Sequence, residues 1–221
     1  MPTPKERLSH LLELASQGAE QRAALGGEVA DLLLDWPAQY SPAMRATFEA
    51  LLEKIAREME PCARGALAVR FEGRNDAPLE LLNELFLAAP AQMKDAILTR
   101  NDAQGAVQFA AIDHETLLAT ARARGDMSAT LTRLASIPET IAQDVMSDRS
   151  GISLAALAKG TQLSRATFSA VVILSGPVRA VDENFALLSV FDEVPPNGAA
   201  RLVAFWQAKA HNSQASAEAA A

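Results

Sequence analysis

The chain has 221 residues, 49% of them hydrophobic and only 5% aromatic, with a formal net charge of −7. Abundant Ala and Leu with few aromatics point to a helical protein able to bury one good core or two smaller ones. The acidic balance repels nucleic acid and acidic membranes, so any basic surface has to be local.

Cys62 is the only cysteine, which excludes an internal disulfide and a thiolate zinc site and fits a reducing cytoplasm. The expected role of Cys62 is a small buried apolar residue. No secretory signal is expected, because Met1 to Gly18 carries Lys5, Glu6, Arg7 and Glu13 where an apolar core would have to lie. The longest uncharged run, Ala166 to Val178, falls short of the roughly 20 residues needed to span a bilayer, so no membrane partner is expected.

Prolines mark the helix starts, since a proline in the first turn lacks only an N–H that would be unpaired there anyway. Thr3-Pro4-Lys5-Glu6 has the cap residue, the proline and the glutamate of a capping box, followed by Leu8, Leu11, Leu12 and Ala15 on one face. Ser41-Pro42 opens the clearest helix, with Met44, Phe48, Leu51, Leu52, Ile55 and Met59 on one stripe. Pro61, Pro78, Pro90, Pro138 and Pro196 sit at similar boundaries. Sustained alternation is absent, and the β-branched run Val171 to Ile173 lies inside a helical pattern.

Helices grouped into hairpins give the pairs 4–17 with 20–35, 41–59 with 61–72, 78–88 with 91–100, and 113–124 with 126–136. Their starts recur at roughly 36 residues, a spacing that suits two-helix repeats. One such pair cannot bury its apolar face alone, so stacked neighbours would build a continuous core. An irregular bundle is the alternative. The expected fold is all-α: stacked antiparallel helical hairpins in a HEAT-like, irregular solenoid with no significant sheet. Residues 1–100 are read as N-terminal hairpin repeats and 113–210 as a C-terminal helical region, with a hinge at Asn101 to Ile112 between them. Residues 211–221 are read as a disordered tail. The tripeptide Arg-Asn-Asp, at Arg74 to Asp76 and again at Arg100 to Asp102, suits a left-handed Asn after a helix and an Asp that caps the next element.

Three packing patterns carry a family resemblance: Phe48 to Ile55, Glu60 to Ala68, and Asn75 to Leu85. With Ala200 to Trp206 as a closing helix, they resemble a bacterial domain-of-unknown-function family of HEAT-like helical-repeat proteins. The stretch from about Thr99 to Arg149 departs from that pattern. The resemblance implies an all-helical repeat architecture without an assigned activity, and no catalytic residue is carried over.

The segment Ser153 to Val172 reads as a helix-turn-helix, broken at Gly160 to Gln162. Its register resembles the DNA-binding hairpin of the sugar-operon repressors: Leu154, Leu157 and Ala158 inward, then Leu163, Ser164, Thr167 and Val171. Between Gly151 and Val181 there are Lys159, Arg165 and Arg179 and no acidic residue, a local positive patch. Ser164 can cap the second helix, with Leu163 and Phe168 as a hydrophobic staple. On this alternative reading the DNA contacts are Lys159, Arg165, Ser169 and Arg179.

Against it, the early positions Arg165, Ala166, Ser169 and Ala170 offer base edges one long donor. The run Val171 to Leu174 is apolar all round, which suits burial between helices. Gln162, where such hairpins usually have glycine, would need a left-handed conformation or a different turn.

Catalytic patterns are weaker still. His10, His114 and His211 are far apart and lack metal-helix spacing. Asp113-His114-Glu115 reads as an acidic helix N-terminus. No phosphate loop, nucleophile elbow or zinc set occurs, and no cofactor or metal is expected. The sequence therefore points to a non-enzymatic helical-repeat scaffold for protein–protein interaction, with a homodimer as one possibility. Its candidate anchors are Trp36, Tyr40, Phe205 and Trp206, large residues at helix ends or near the C-terminus.

Overall fold

The computed structural model describes residues 18–175 and 181–219, with side chains given to residue 212 apart from 181–184. The helix expected at 4–17 and the candidate Arg179 lie outside the described residues. Within them the chain forms twelve α-helices and one 3-10 turn, with no strand. It divides into two compact units, Met1–Met93 and Lys94–Ala221, upstream of the hinge expected at Asn101 to Ile112.

The first unit contains α1 (Ala19–Leu34), α2 (Pro42–Glu58), α3 (Pro61–Arg70), α4 (Leu79–Leu85) and a 3-10 turn at Phe86–Ala88. Ser41 caps α2, its Oγ accepting from the Met44 amide at 3.2 Å, and Pro42 opens the first turn. The stripe Phe48, Leu52 and Ile55 is buried together with Leu25, Val29 and Leu33 of α1, and the two helices pack directly. The pairing of 41–59 with 61–72 is corrected: α2 packs on α1 and α4, while α3 packs on α1, α4 and the 3-10 turn. Arg70 fixes α3 to α1, donating to the Gly27 carbonyl at 3.1 Å and to Asp31. Cys62 is exposed rather than buried, because it lies in the first turn of α3 ahead of the buried positions Leu67 and Ala68.

The second unit holds most of α5 (Ala91–Asp102), then α6 (His114–Arg122), α7 (Met127–Ala135), α8 (Glu139–Ser147), α9 (Ile152–Gly160), α10 (Arg165–Ser175), α11 (Val181–Glu193) and α12 (Pro196–Ala219). Asp113 caps α6, accepting the Glu115 and Thr116 amides, and Asp126 caps α7, accepting the Ala129 amide. α6 and α7 form the expected neighbours, α10 lies against α6 and α11, and α9 packs on α8, α11 and most extensively α12. Glycines set two close approaches to α12, Gly160 from α9 and Gly198 toward α5. A Cβ on Gly160 would stand 2.7 Å from the Ala199 carbonyl oxygen, and one on Gly198 would stand 2.2 Å from that of Leu98.

The two Arg-Asn-Asp copies are used differently, and neither Asn is left-handed. Asn101 is buried inside α5, donating to the Ile97 carbonyl, because the helix runs on to Asp102. Asp102 does cap a helix, but a distant one: it accepts from the Gly198 amide at 3.1 Å, at the start of α12. Asp76 pairs with Arg45 and Arg74. The region read as a disordered tail is helical to Ala219, as its run of Ala, Gln, Ser and Glu permits by propensity.

Candidate interaction surface

The hairpin formed by α9 and α10 has the local chemistry that its sequence promises. Gln162 takes the left-handed conformation, φ 60°, so the glycine-like turn is made by a residue with a side chain. Ser164 Oγ accepts from the Thr167 amide at 3.1 Å and lies 3.0 Å from the Thr167 hydroxyl. Leu163 and Phe168, the staple pair, are both buried.

The start of α9 is fastened by Asp148. One carboxylate oxygen accepts from the Ser153 amide and hydroxyl at 3.0 and 2.6 Å and from the Lys94 ammonium at 2.8 Å. The other accepts from the Ser150 amide and hydroxyl. Burial alone would raise this carboxyl, yet the Lys94 ammonium and the serine hydrogen bonds outweigh it and hold Asp148 at about 2. α9 itself is nearly all buried, from Ile152 to Gly160.

The candidate DNA-contact residues are largely committed to their own fold. Lys159 is half-buried, its ammonium 4.6 Å from the centre of the Phe191 ring, and that ring stacks on Phe168 at 5.0 Å. Arg165 Nε lies 3.0 Å from both carboxylate oxygens of Asp192 on α11. The Ser169 hydroxyl donates to the Arg165 carbonyl at 2.7 Å. The patch that lacks acids in sequence thus receives one from the neighbouring helix, which sequence proximity could not reveal.

The run Val171 to Leu174 is corrected from apolar all round to divided. Val171 and Val172 are buried, whereas Ile173 is 59% and Leu174 39% exposed. Ala166 is exposed and Ala170 half-buried, so Ala166, Ala170 and Ile173 succeed one another at helical spacing along the outward face of α10. Phe185 of α11, 64% exposed, adds a large apolar side chain to the helix packed beside it. None of Ile173, Leu174 and Phe185 was among the sequence-predicted anchors. The signal for Ile173 was the period that places 166, 170 and 173 together.

Of the predicted anchors, Trp36 and Tyr40 meet. Their rings lie edge to face at 5.5 Å, and Trp36 also packs edge to face on Phe48 at 5.9 Å. Both are half-buried at the corner between α1 and α2. Phe205 is half-buried, with Lys209 5.6 Å from its ring centre. Trp206 is 1% exposed and cannot anchor a partner from a free surface; it faces the core because it shares a helical face with Leu202 and Val203.

Asp113-His114-Glu115 is a cap: Asp113 accepts the Glu115 and Thr116 amides and the Thr116 hydroxyl. His211 Nδ1 lies 2.8 Å from the Gln207 carbonyl oxygen. Among the described residues no three His, Cys, Asp or Glu side chains group so as to hold a metal ion, and no helix is long and apolar enough to cross a membrane. Comparison with protein-family models, with curated proteins and with solved structures returns no match to this chain.

Proposed function

We propose that this chain is a non-enzymatic, cytoplasmic helical scaffold that docks another protein on the outward face of α10. The observation that carries the reading is the pair of large apolar side chains, Ile173 and Leu174, left in solvent on α10, whose opposite face buries Thr167, Phe168, Val171 and Val172. Small residues succeeded by large ones, Ala166, Ala170 and then Ile173, let a partner helix approach closely at one end and seat an anchor at the other. Phe185 extends the apolar surface onto α11. HEAT-like stacking of hairpins, drawn from the repeat spacing and the family resemblance, would make such a face one of a series along the chain.

A DNA-reading role draws support from the left-handed Gln162 turn and the exposed start of α10. The pairing of Arg165 with Asp192 weighs against it, since it offsets the one long donor of that turn.

One set of measurements separates the two. On the docking reading, a protein recovered with the wild-type chain by crosslinking in native cells is lost with Ile173→Asp, while Arg165→Ala retains it. Salt-sensitive binding of random duplex DNA that Arg165→Ala weakens and Ile173→Asp leaves intact would overturn docking in favour of DNA.

A further inference from the structure

Between α5 and α6 the chain runs from Gly105 to Asp113 without helix, turn or bend. Among the described residues, no amide or carbonyl of residues 106–112 hydrogen-bonds to another backbone group. Burial alternates from Ala106 to Ala110, with Ala106, Gln108 and Ala110 exposed and Val107 and Phe109 half-buried, the two-residue period of a strand; Ala111 is exposed and Ile112 half-buried, outside that alternation. From Ala103 to Ile112 no residue is ionisable, in a chain of net charge −7. A neutral, unbent stretch with a free row of donors and acceptors has the chemistry of a sheet edge.

We propose that residues 106–112 are a self-pairing strand: two copies of this chain join by antiparallel pairing of these segments about a two-fold axis at Phe109. A contact between identical copies must be self-complementary, and an acidic protein meets least repulsion where it carries no charge. The register rests on two features. Centring the pair on Phe109 sets the only aromatic of the stretch opposite its own copy, where a cross-strand aromatic pair contributes most. The same register places Gly105 opposite Asp113 of the second copy. Arg201 already holds its guanidinium on the Gln104 and Gly105 carbonyls, at 2.8 and 3.2 Å, so each end of the ribbon brings a cation toward a carboxylate. With Phe109 in a non-hydrogen-bonded pair, Gln108 and Ala110 exchange both backbone hydrogen bonds, twice over by symmetry.

A two-stranded ribbon is marginal by itself, so the dimer is weak and depends on concentration. Light scattering or sedimentation across a concentration series reads it directly. Gln108→Pro removes an amide that the single chain does not use, so the helical circular dichroism stays unchanged, and the dissociation constant rises by on the order of tenfold or more. In the wild type, amide hydrogen exchange at 106–112 slows as concentration rises. A particle that stays monomeric throughout overturns the proposal, as do amides at 106–112 whose exchange ignores concentration. A dimer that Ile173→Asp abolishes and Gln108→Pro leaves intact also overturns it, and moves self-association to the face of α10.

Discussion

At the level of single residues, the second unit turns on one buried ion pair and on one contact that leaves no room for a Cβ. Lys94 and Asp148 are 4% and 9% exposed, so the Asp148 carboxylate relies on the Lys94 ammonium and on the two serines. Asp148 is ordinarily near 3.8 and is held at about 2 in the fold. A depressed carboxyl contributes stability that is complete above its unfolded value and disappears as pH falls through its folded value. The contribution, about 2 kcal/mol, is therefore present above roughly pH 4 and lost on the way down to about 2. Acid unfolding of Asp148→Asn should lack that component. At neutral pH the variant should be destabilised by about 3 kcal/mol, because the buried Lys94 ammonium then loses the Asp148 carboxylate. Urea titrations at pH 7 and pH 3 check both, and a difference between the proteins that is independent of pH would refute the assignment.

Gly198 is the steric counterpart. An alanine there would set its Cβ 2.2 Å from the Leu98 carbonyl oxygen and 3.2 Å from the Asp102 nitrogen, where backbone rather than a flexible side chain must give. It would also push the Gly198 amide off Asp102. Gly198→Ala should cost about 2–3 kcal/mol, although alanine is the better helix former. Thermal melts would show a lower midpoint, and a gain in stability would mean that α5 and α12 do not approach this closely.

Helices were the legible level of this sequence. Proline located the starts of α2 and α3, and the spacing of hairpins and of apolar residues located α6, α7 and α9, each to within a few residues, because these signals act over short range. Partners were not legible at that range. α2 and α3 are consecutive, yet each packs chiefly on other helices, and nothing in either stripe names the helix it will meet. The candidate surface shows the same limit. The turn at Gln162, the cap at Ser164 and the staple at Leu163 and Phe168 could be read from neighbouring residues, whereas the pairing of Arg165 with Asp192, the placing of Lys159 over Phe191 and the burial of Trp206 depend on chain far away. A run such as Val171 to Leu174 is a set of four apolar letters until its neighbours decide which two are covered.

That division of α10 can be tested within one helix. Phe168, 1% exposed and stacked on Phe191, should cost about 3–5 kcal/mol when cut to alanine. Ile173→Ala, five residues on, should change stability by no more than about 0.5 kcal/mol, since its side chain stands in solvent and alanine is a better helix former. Chemical denaturation of the two variants is sufficient, and a similar loss for both would place Ile173 in the core.

For the molecule as a whole, the two compact units meet in sequence between Met93 and Lys94, inside α5 rather than in the irregular stretch after it. The reason is local to the second unit. Ile97, Leu98 and Asn101 of α5 are buried, Lys94 reaches Asp148, and Asp102 caps α12. α5 therefore works as the first helix of the second unit, although the loop after it looks like the natural boundary. A fragment of residues 91–221 should accordingly retain its helical circular dichroism and unfold in one cooperative transition. A fragment of residues 103–221 loses Leu98 from the core, leaves Asp148 without its cation and the Gly198 amide without its acceptor. Those losses together should broaden its melt and lower the midpoint by on the order of 10 °C or more. If the shorter fragment melts as sharply and as high as the longer one, α5 does not belong to that core and the boundary lies after Asp102.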